Sequence, residues 1–358
     1  MKKALLLAAM FVAAGVATAQ QKYNIYLGNT HSHCNFSGDI VAAAQKAGRE
    51  LDPKNDVDQC IIAAREAGYQ FYCVTDHSQY DCYTPQAWTT VGEWTNKLTE
   101  DGKFVALRGF EYSRNDNTDG SGHMNVYNTP DFVSAAKDAY DLHKFQDWLM
   151  LPENKNAVVS FNHPDSLGYN DFAIYNEAVK PKFTMFEVIN SDHPKYYGRY
   201  LHTLALGFKV SPVAGIDNHN YRNIPKAVSR TGVAATELTQ AGVLEAFAAR
   251  RTYATMDKEL KIFYTVNDQP MGSTLVKPKK GDLKFVIEAS TSAAHISKIE
   301  IVGEMGKVIT SKDFAPDASG ASGDLKWAVP VPQGQEYYFL VVYKADGPVA
   351  WVAPVWVE

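Results

Sequence analysis

Histidines and acidic residues recur beside short apolar runs in this 358-residue sequence, and these are residue types that bind metal ions. His31 and His33 follow the run 23–27 with one residue between them, so extended backbone would turn both imidazoles toward one ion. Later runs are bordered by similar residues. The full candidate ligand set is His31, His33, Asp39, His77, Glu111, His123, His163, Asp217 and His219, with Asp76 as a further acid.

These six histidines and three carboxylates are too many for one catalytic zinc, which takes about three protein ligands and a water. The set therefore predicts two or three divalent ions that share a bridging carboxylate. Imidazole and carboxylate without thiolate suit Zn²⁺, Mn²⁺ or Fe²⁺. Each histidine taken alone is more often a structural hydrogen-bonding group, and it is the joint pattern that indicates a metal cluster.

Strand-like runs alternate with helix-like segments from about residue 22 to residue 256, which predicts an α/β fold. The seven apolar runs are 23–27, 71–75, 104–110, 123–127, 157–161, 184–189 and 210–216. Helical spacing predicts helices over 57–68, 196–207 and 239–251, the last capped by Thr239. About seven parallel strands favour a barrel, whose strands all end at one face. Ligands scattered along the chain would meet there.

The sequence changes character after residue 256. Alternation with period two runs through 259–266, 283–289, 298–310 and 337–352, with hairpin signals such as Asp346-Gly347 between them. This pattern predicts an all-β sandwich over residues 257–358, behind a hydrolase-like domain over residues 20–256.

The four cysteines, Cys34, Cys60, Cys73 and Cys82, all lie in the first quarter of the chain and form no Cys-x-x-Cys pair. Disulfides are compatible with an exported protein, although their connectivity does not follow from the sequence. Cys34 and Cys73 follow or lie inside apolar runs, which favours small buried thiols over a bridge.

The first nineteen residues are typical of a cleaved secretory signal. A basic start at Lys2 and Lys3 precedes an apolar run, and Ala17-Thr18-Ala19 fits the cleavage pattern. We therefore expect a periplasmic or secreted protein without a membrane span after cleavage. The formal net charge, −5 for the whole chain, becomes −7 because the segment carries two lysines and no acid. A net acidic chain without a basic run is a poor binder of nucleic acid.

The ordered set His31-x-His33, Asp39, Thr75-Asp76-His77, Glu111, His123, His163 and Asp217-x-His219 resembles that of the PHP family, named for polymerase and histidinol phosphatase. The resemblance covers residues 22 to about 256. It implies a distorted seven-stranded α/β barrel with a three-metal centre that acts mainly on phosphate esters. Residues 251–255 resemble, more weakly, the end of this region in exported relatives with a C-terminal β domain.

The resemblance also implies which residues share an ion. Glu111 would bridge the first ion, held with His31, His33 and Asp217, to the second, held with His123 and His163. Asp39, His77 and His219 would hold the third. Some members of the family have histidine in place of Asp39, and the acid moves the site toward harder ions such as Mn²⁺.

The expected reaction is attack on phosphorus by a hydroxide formed from metal-bound water. Asp76 is a candidate to orient His77 or relay a proton, and Arg222 is a candidate to bind phosphate. Glu187, Asn190 and His193 are candidates to line the pocket. The expected substrate is a small phosphate monoester or diester.

Two alternatives stay open at the level of the sequence. The same type of centre hydrolyses carbamate, ester or amide bonds in related metal barrels, although these usually bridge their ions with a carbamylated lysine. The other alternative is a non-catalytic periplasmic module that binds a metal or a surface ligand. Substrate, oligomeric state and the role of the β domain do not follow from the sequence.

Overall fold

The structure is a computed structural model that describes residues 22–79, 82–113, 122–134, 141–164, 169, 171–174, 176–293, 295–316 and 322–358. The predicted signal, residues 1–19, lies outside these ranges. Within them, every helix is too short or too polar to cross a lipid bilayer.

The first two thirds of the chain form nine strands and six helices within the described residues. In chain order they are β1 (Asn24–Asn29), α1 (Gly38–Lys46), α2 (Val57–Glu66), β2 (Phe71–Val74), α3 (Pro85–Leu98), β3 (Val105–Tyr112), β4 (His123–Tyr127), α4 (Leu142–Leu149), β5 (Val158–Asn162), β6 (Phe183–Asn190), α5 (Tyr197–Ala205), β7 (Ser211–Gly215), β8 (Arg230–Ala235), α6 (Gln240–Ala248) and β9 (Thr252–Thr255). Each of the seven apolar runs overlaps a strand. The Thr239 cap is also confirmed, because its side chain accepts a hydrogen bond from Gly242 N.

Strands β1 to β7 lie side by side in chain order. β1, β2 and β3 are parallel, and so are β5, β6 and β7. The expectation of a fully parallel layout is wrong for β4, which runs antiparallel to both of its neighbours. The physical reason is the short connection from β3 to β4, since a parallel crossover needs a dozen or more residues.

Strands β1 and β7, the first and last of these seven, are linked through β8. β1 pairs antiparallel with β8, and β8 in turn contacts β7 through Thr231, whose hydroxyl hydrogen bonds with the Ala214 backbone at 2.7 and 2.8 Å. This part of the chain is therefore a mixed α/β structure built on one large sheet. The seven-stranded barrel itself stays a prediction.

The described elements after residue 256 are strands, apart from one 3-10 turn at Glu304–Gly306. The strands are β10 (Lys261–Val266), β11 (Gln269–Pro270), β12 (Thr274–Leu275), β13 (Leu283–Thr291), β14 (Lys298–Val302), β15 (Val308–Asp313), β16 (Ser322–Val331), β17 (Tyr337–Lys344) and β18 (Gly347–Val357). They form two sheets, ordered β11-β10-β13-β16 and β15-β14-β17-β18. Side chains from both sheets, among them Tyr264, Phe285, Leu340 and Val352, share one buried core.

The two parts of the chain are joined by backbone pairing. β18 pairs antiparallel with β9, so the second of these sheets continues into the first part of the chain. The boundary placed between residues 256 and 257 stays a prediction, because strands on either side of it belong to one sheet.

The cysteines are all free, and Cys34, Cys60 and Cys73 are buried while Cys82 is half-buried. Burial raises the pKa of the three buried thiols, so they stay protonated at neutral pH. The interpretation as buried thiols is confirmed.

A buried ion pair between Asp257 and Lys344 stabilises the connection from β9 to β10. The carboxylate of Asp257 accepts hydrogen bonds from Lys344 Nζ at 2.7 Å and from Thr291 Oγ1 at 2.8 Å. Both charged side chains are largely removed from water. Removing one partner would leave the other charge buried and uncompensated, which is costly.

We predict that Asp257→Ala lowers the free energy of unfolding by about 3 kcal/mol, because it leaves the Lys344 ammonium without its carboxylate. The matched control is Glu288→Ala, which removes the exposed pair with Lys326. That variant should change stability by less than about 1 kcal/mol. Urea unfolding of both variants measures the difference, and equal losses would contradict the role given to burial.

Candidate metal centre

The carboxylate of Glu111, at the end of β3, lies at the centre of the candidate site and is completely buried. Its two oxygens face different histidines. Oε2 lies 3.0 Å from His77 Nδ1, 3.3 Å from His31 Nε2 and 3.4 Å from His33 Nε2, and Oε1 lies 3.2 Å from His123 Nδ1 and 3.4 Å from His163 Nε2. A carboxylate that faces ring nitrogens with both oxygens has the arrangement of a bridging ligand.

Asp217 closes one side of the cluster beside the His-x-His pair. Its Oδ1 lies 3.1 Å from His33 Nε2 and 3.5 Å from His31 Nε2. Two backbone hydrogen bonds hold the loops after β1 and β7 together, from Asp217 N to His31 O and from His33 N to Asn218 O. These loops therefore present three ligands as one unit.

Asp39 and His219 form an outer group with His77. Asp39, in the first turn of α1, places Oδ2 2.5 Å from His219 Nε2 and 4.0 Å from His77 Nε2. The rings of His219 and His33 are stacked with centroids 4.3 Å apart, which joins this group to the rest. All nine predicted ligands thus lie in one continuous cluster.

The direction of β4 explains how His123 reaches this cluster. His123 opens β4 and pairs with Asn162 at the end of β5. Because β4 is antiparallel, its first residue lies at the same edge of the sheet as the last residues of β3 and β5. In a parallel β4, His123 would lie at the opposite edge.

Divalent ions explain the positions of the donor atoms better than hydrogen bonds among these atoms do. Among the described residues, no group hydrogen bonds to the buried Oε2 of Glu111 with good geometry. His31 Nε2 and His33 Nε2 face each other at 3.1 Å. Four sets of three ligand atoms lie within 4.8 Å of one another: His31, His33 and Asp217; His31, Glu111 and His163; His77, Glu111 and His123; and His33, His77 and His219. A cation between such atoms would satisfy the carboxylate and the facing nitrogens together.

The electrostatics of the cluster keep its carboxylates ionised. Burial alone would raise the pKa of Glu111, but the surrounding histidines, His77 foremost, hold it well below the usual range. The same balance, with His31 foremost, lowers the pKa of Asp217. Both acids are therefore ready to bind cations at neutral pH.

His33 and His219 differ in protonation at neutral pH, and an ion must displace any proton on the nitrogen that it binds. Burial, with His219 nearby, lowers the pKa of His33 to about 3, so its imidazole is neutral and free to act as a ligand. Burial also opposes the charge on His219, but Asp39 and Asp217 outweigh it and raise the pKa of His219 to about 9. Binding at His219 must therefore release a proton at neutral pH.

Several polar residues orient the ligands without belonging to the predicted set. Ser37 Oγ lies 3.0 Å from His33 Nδ1, Ser113 Oγ lies 3.0 Å from His77 Nδ1, and Asn162 Nδ2 donates to Glu111 Oε1 at 3.0 Å. Outer partners of this kind fix ring orientation in metal sites. The only sequence signal for Asn162 is that it directly precedes His163.

Asp76 and Arg222 lie beside the cluster with other partners. The buried carboxylate of Asp76 accepts hydrogen bonds from Cys34 N at 2.6 Å and Cys34 Sγ at 3.0 Å, and burial raises its pKa to about 6. Arg222 is exposed, 3.6 Å from Asp52, and lines a cavity of about 330 Å³ together with His219. Their predicted catalytic roles stay predictions.

Comparison with curated proteins gives distant relatives. No protein-family model matches the chain. An uncharacterized protein of Chlamydia pneumoniae is 21% identical over 360 residues, and one of Chlamydia trachomatis is 23% identical over 350 residues. Both cover 86% of this chain but 55% of the relative, so the chain spans about half the length of the curated relatives it matches.

Solved structures give equally distant likenesses. A two-domain protein from Bacteroides vulgatus, containing a predicted PHP-like metal-dependent phosphoesterase, is 15% identical with a TM-score of 0.46. That comparison covers 93% of this chain and 95% of that chain. PsfC from Pseudomonas syringae is 16% identical with a TM-score of 0.42, covering 64% of this chain and 90% of that chain. These likenesses are too distant to assign a residue role to this chain.

We predict that Glu111→Gln lowers the metal content to one ion per chain or none, because an amide nitrogen cannot bridge two cations. For the unchanged protein, adding Zn²⁺ or Mn²⁺ after chelation should raise Tm, since an ion that binds only the folded state stabilises it by about 4 kcal/mol at a thousandfold excess over Kd. Elemental mass spectrometry and thermal scans measure both effects.

The matched control for this prediction is His143→Asn, which alters an exposed histidine away from the cluster. It should keep the ion count and the metal-dependent rise in Tm. Full metal content in Glu111→Gln would contradict the bridging role.

Proposed function

We propose that this chain is an exported, metal-dependent phosphoesterase of the PHP type, with a seven-stranded barrel, that hydrolyses a small phosphate monoester or diester. The observation that carries the proposal is the position of Glu111, whose two carboxylate oxygens face five imidazoles from four loops and strands. A structural zinc site is a closed set of four ligands and has no use for such a bridge.

The uneven exposure of the cluster supports catalysis over a closed binding site. His31 and His33 are completely buried, whereas 31% of the His123 side chain and 38% of the His219 side chain are exposed. We call the buried His31 and His33 the floor of the cluster, and the partly exposed His123 and His219 its rim. A substrate would approach from the rim, and a module that only stores metal needs no such opening.

Two or three divalent ions bound here would supply Lewis-acid chemistry, activating a water molecule and offsetting the charge on phosphoryl oxygens. The residues of the chain prepare that chemistry. Glu111 and Asp217 stay ionised and provide the negative charge that retains cations. Asn162 holds the Glu111 carboxylate in place by donating to Oε1. Burial of the floor excludes water from the innermost ligands, which strengthens their electrostatic interactions.

Asp76 and Arg222 have different roles in this proposal. Asp76 turns its carboxylate to Cys34 and holds the loop that carries His33. Arg222 lies at the cavity beside His219 and is free enough to meet an anionic group of a substrate. We expect Arg222→Ala to raise KM several-fold and to leave kcat nearly unchanged, because an exposed guanidinium contributes to binding more than to chemistry.

The test of the function combines metal analysis with hydrolysis of chromogenic phosphate esters by the chain from residue 20 onward. We expect two to three ions per chain and cleavage of a monoester or a diester that chelation abolishes and Zn²⁺ or Mn²⁺ restores. Asp217→Asn should lower kcat at least about 100-fold, the upper end of what a change in an outer partner costs. His143→Asn should retain full activity.

The other outcomes separate the alternatives. Full metal content without cleavage of either ester would direct the search to carbamate, ester or amide substrates. A metal-free chain that stays inactive with added Zn²⁺, Mn²⁺ or Fe²⁺ would refute the proposal.

A further inference from the structure

Glu187 is a buried acid in the middle of β6, and every residue of this strand is buried. The hydrogen-bond partners of its carboxylate among the described residues are His31, His163 and Asn190. Oε1 lies 3.0 Å from His31 Nδ1, while Oε2 accepts from the backbone N–H of His163 at 2.6 Å and from Asn190 Nδ2 at 3.1 Å. Glu187 therefore touches the ligand histidines from behind the cluster.

The orientation of the Asn190 amide is fixed by its neighbours. Nδ2 also donates to Asp217 Oδ2 at 3.1 Å, so this one amide lies between the carboxylates of Glu187 and Asp217. Ser191 Oγ donates to Asn190 Oδ1 at 3.0 Å. A flipped amide would turn its oxygen toward two carboxylates, which is repulsive.

These contacts leave one role for Oε1. Because Oε2 serves two fixed donors, Oε1 remains for the ring of His31, and a carboxylate can only accept. His31 Nδ1 must then carry a proton. The opposite nitrogen, Nε2, faces Glu111 and Asp217 and is the atom able to bind an ion.

Gly215, the last residue of β7, gives a second and independent sign that this contact is built into the fold. A Cβ atom at this position would lie 1.9 Å from Glu187 Oε1 and 2.6 Å from His31 Cβ. Glycine is thus required for the carboxylate to approach the imidazole.

We propose that Glu187 is a positioning residue that holds His31 in the tautomer with the proton on Nδ1, leaving Nε2 to bind metal, and that it ties His31 to Asp217 through Asn190. The inference rests on the metal centre of the proposed function. It does not depend on which bond the centre hydrolyses.

The sharpest test is Glu187→Gln, which keeps the size of the side chain and replaces the acceptor that faces His31 Nδ1 with a donor. The amide oxygen satisfies two donors if it takes the place of Oε2, and the amide NH₂ then faces His31 Nδ1. This favours the tautomer with the proton on Nε2, the nitrogen that should bind the ion. We expect affinity for Zn²⁺, measured by competition with a chromogenic chelator, to fall 10–100-fold.

A second measurement separates this role from a general loss of stability. In the Zn²⁺-loaded protein, the ¹⁵N chemical shifts of His31 should show a protonated Nδ1, and the signal of that proton should be lost in Glu187→Gln. The matched control is Glu300→Gln, which alters a buried acid of β14 that pairs with Lys298. This control should keep wild-type Zn²⁺ affinity, whatever its effect on Tm.

Unchanged Zn²⁺ affinity in Glu187→Gln would overturn the inference, and so would a wild-type chain that binds no ion. Gly215→Ala should reproduce the loss of affinity, because its methyl group occupies the place of Oε1. If the wild-type chain binds ions but cleaves no phosphate ester, the proposed function fails. A lower Zn²⁺ affinity of Glu187→Gln would still support the role of Glu187.

Discussion

A carboxylate as deeply buried as that of Glu111 requires compensation, because an isolated charge in a protein interior costs several kcal/mol. In this chain the compensation comes from imidazoles that converge from the ends of different strands. None of these groups is a neighbour of Glu111 in sequence. The requirement to bring them together constrains strand order, strand direction and the loops between them. The sheet is thus the means by which distant ligands meet around one acid.

The cluster was largely predictable from the sequence because most of its residues lie next to short apolar runs, and such runs are consistent with buried strands. The nine predicted ligands do lie in one cluster, which Asp39 joins through His219, and strands lie where the runs are. Strand direction was not predictable in the same way. Period-two alternation is identical for parallel and antiparallel strands, so only the short connection before His123 signalled that β4 reverses. That reversal is what allows a residue opening a strand to join residues that end strands.

The residues that orient the ligands were largely beyond prediction. Ser37 is four residues from the histidine it contacts, but Glu187 lies 156 residues from His31. Such contacts depend on how strands pack, not on any local pattern. The continuity of the sheet through β9 and β18 was missed for the same reason, since pairing between segments nearly a hundred residues apart leaves no periodic trace. For Glu187, the sequence offered only an acid within an apolar run, which made it a candidate to line the pocket and did not connect it with His31.

The gradient of exposure across the cluster bears on how many ions it holds. Electrostatic attraction strengthens as water is excluded, so ligands on the buried floor bind a cation more tightly than ligands at the rim. His31 and His33 belong to the floor, while Asp39 and His219 are partly exposed, and His219 holds a proton that an ion must displace. We therefore expect the ion between Asp39, His77 and His219 to be the weakest bound. If the centre holds three ions, this geometry predicts two that are firmly held and a third that exchanges with solvent.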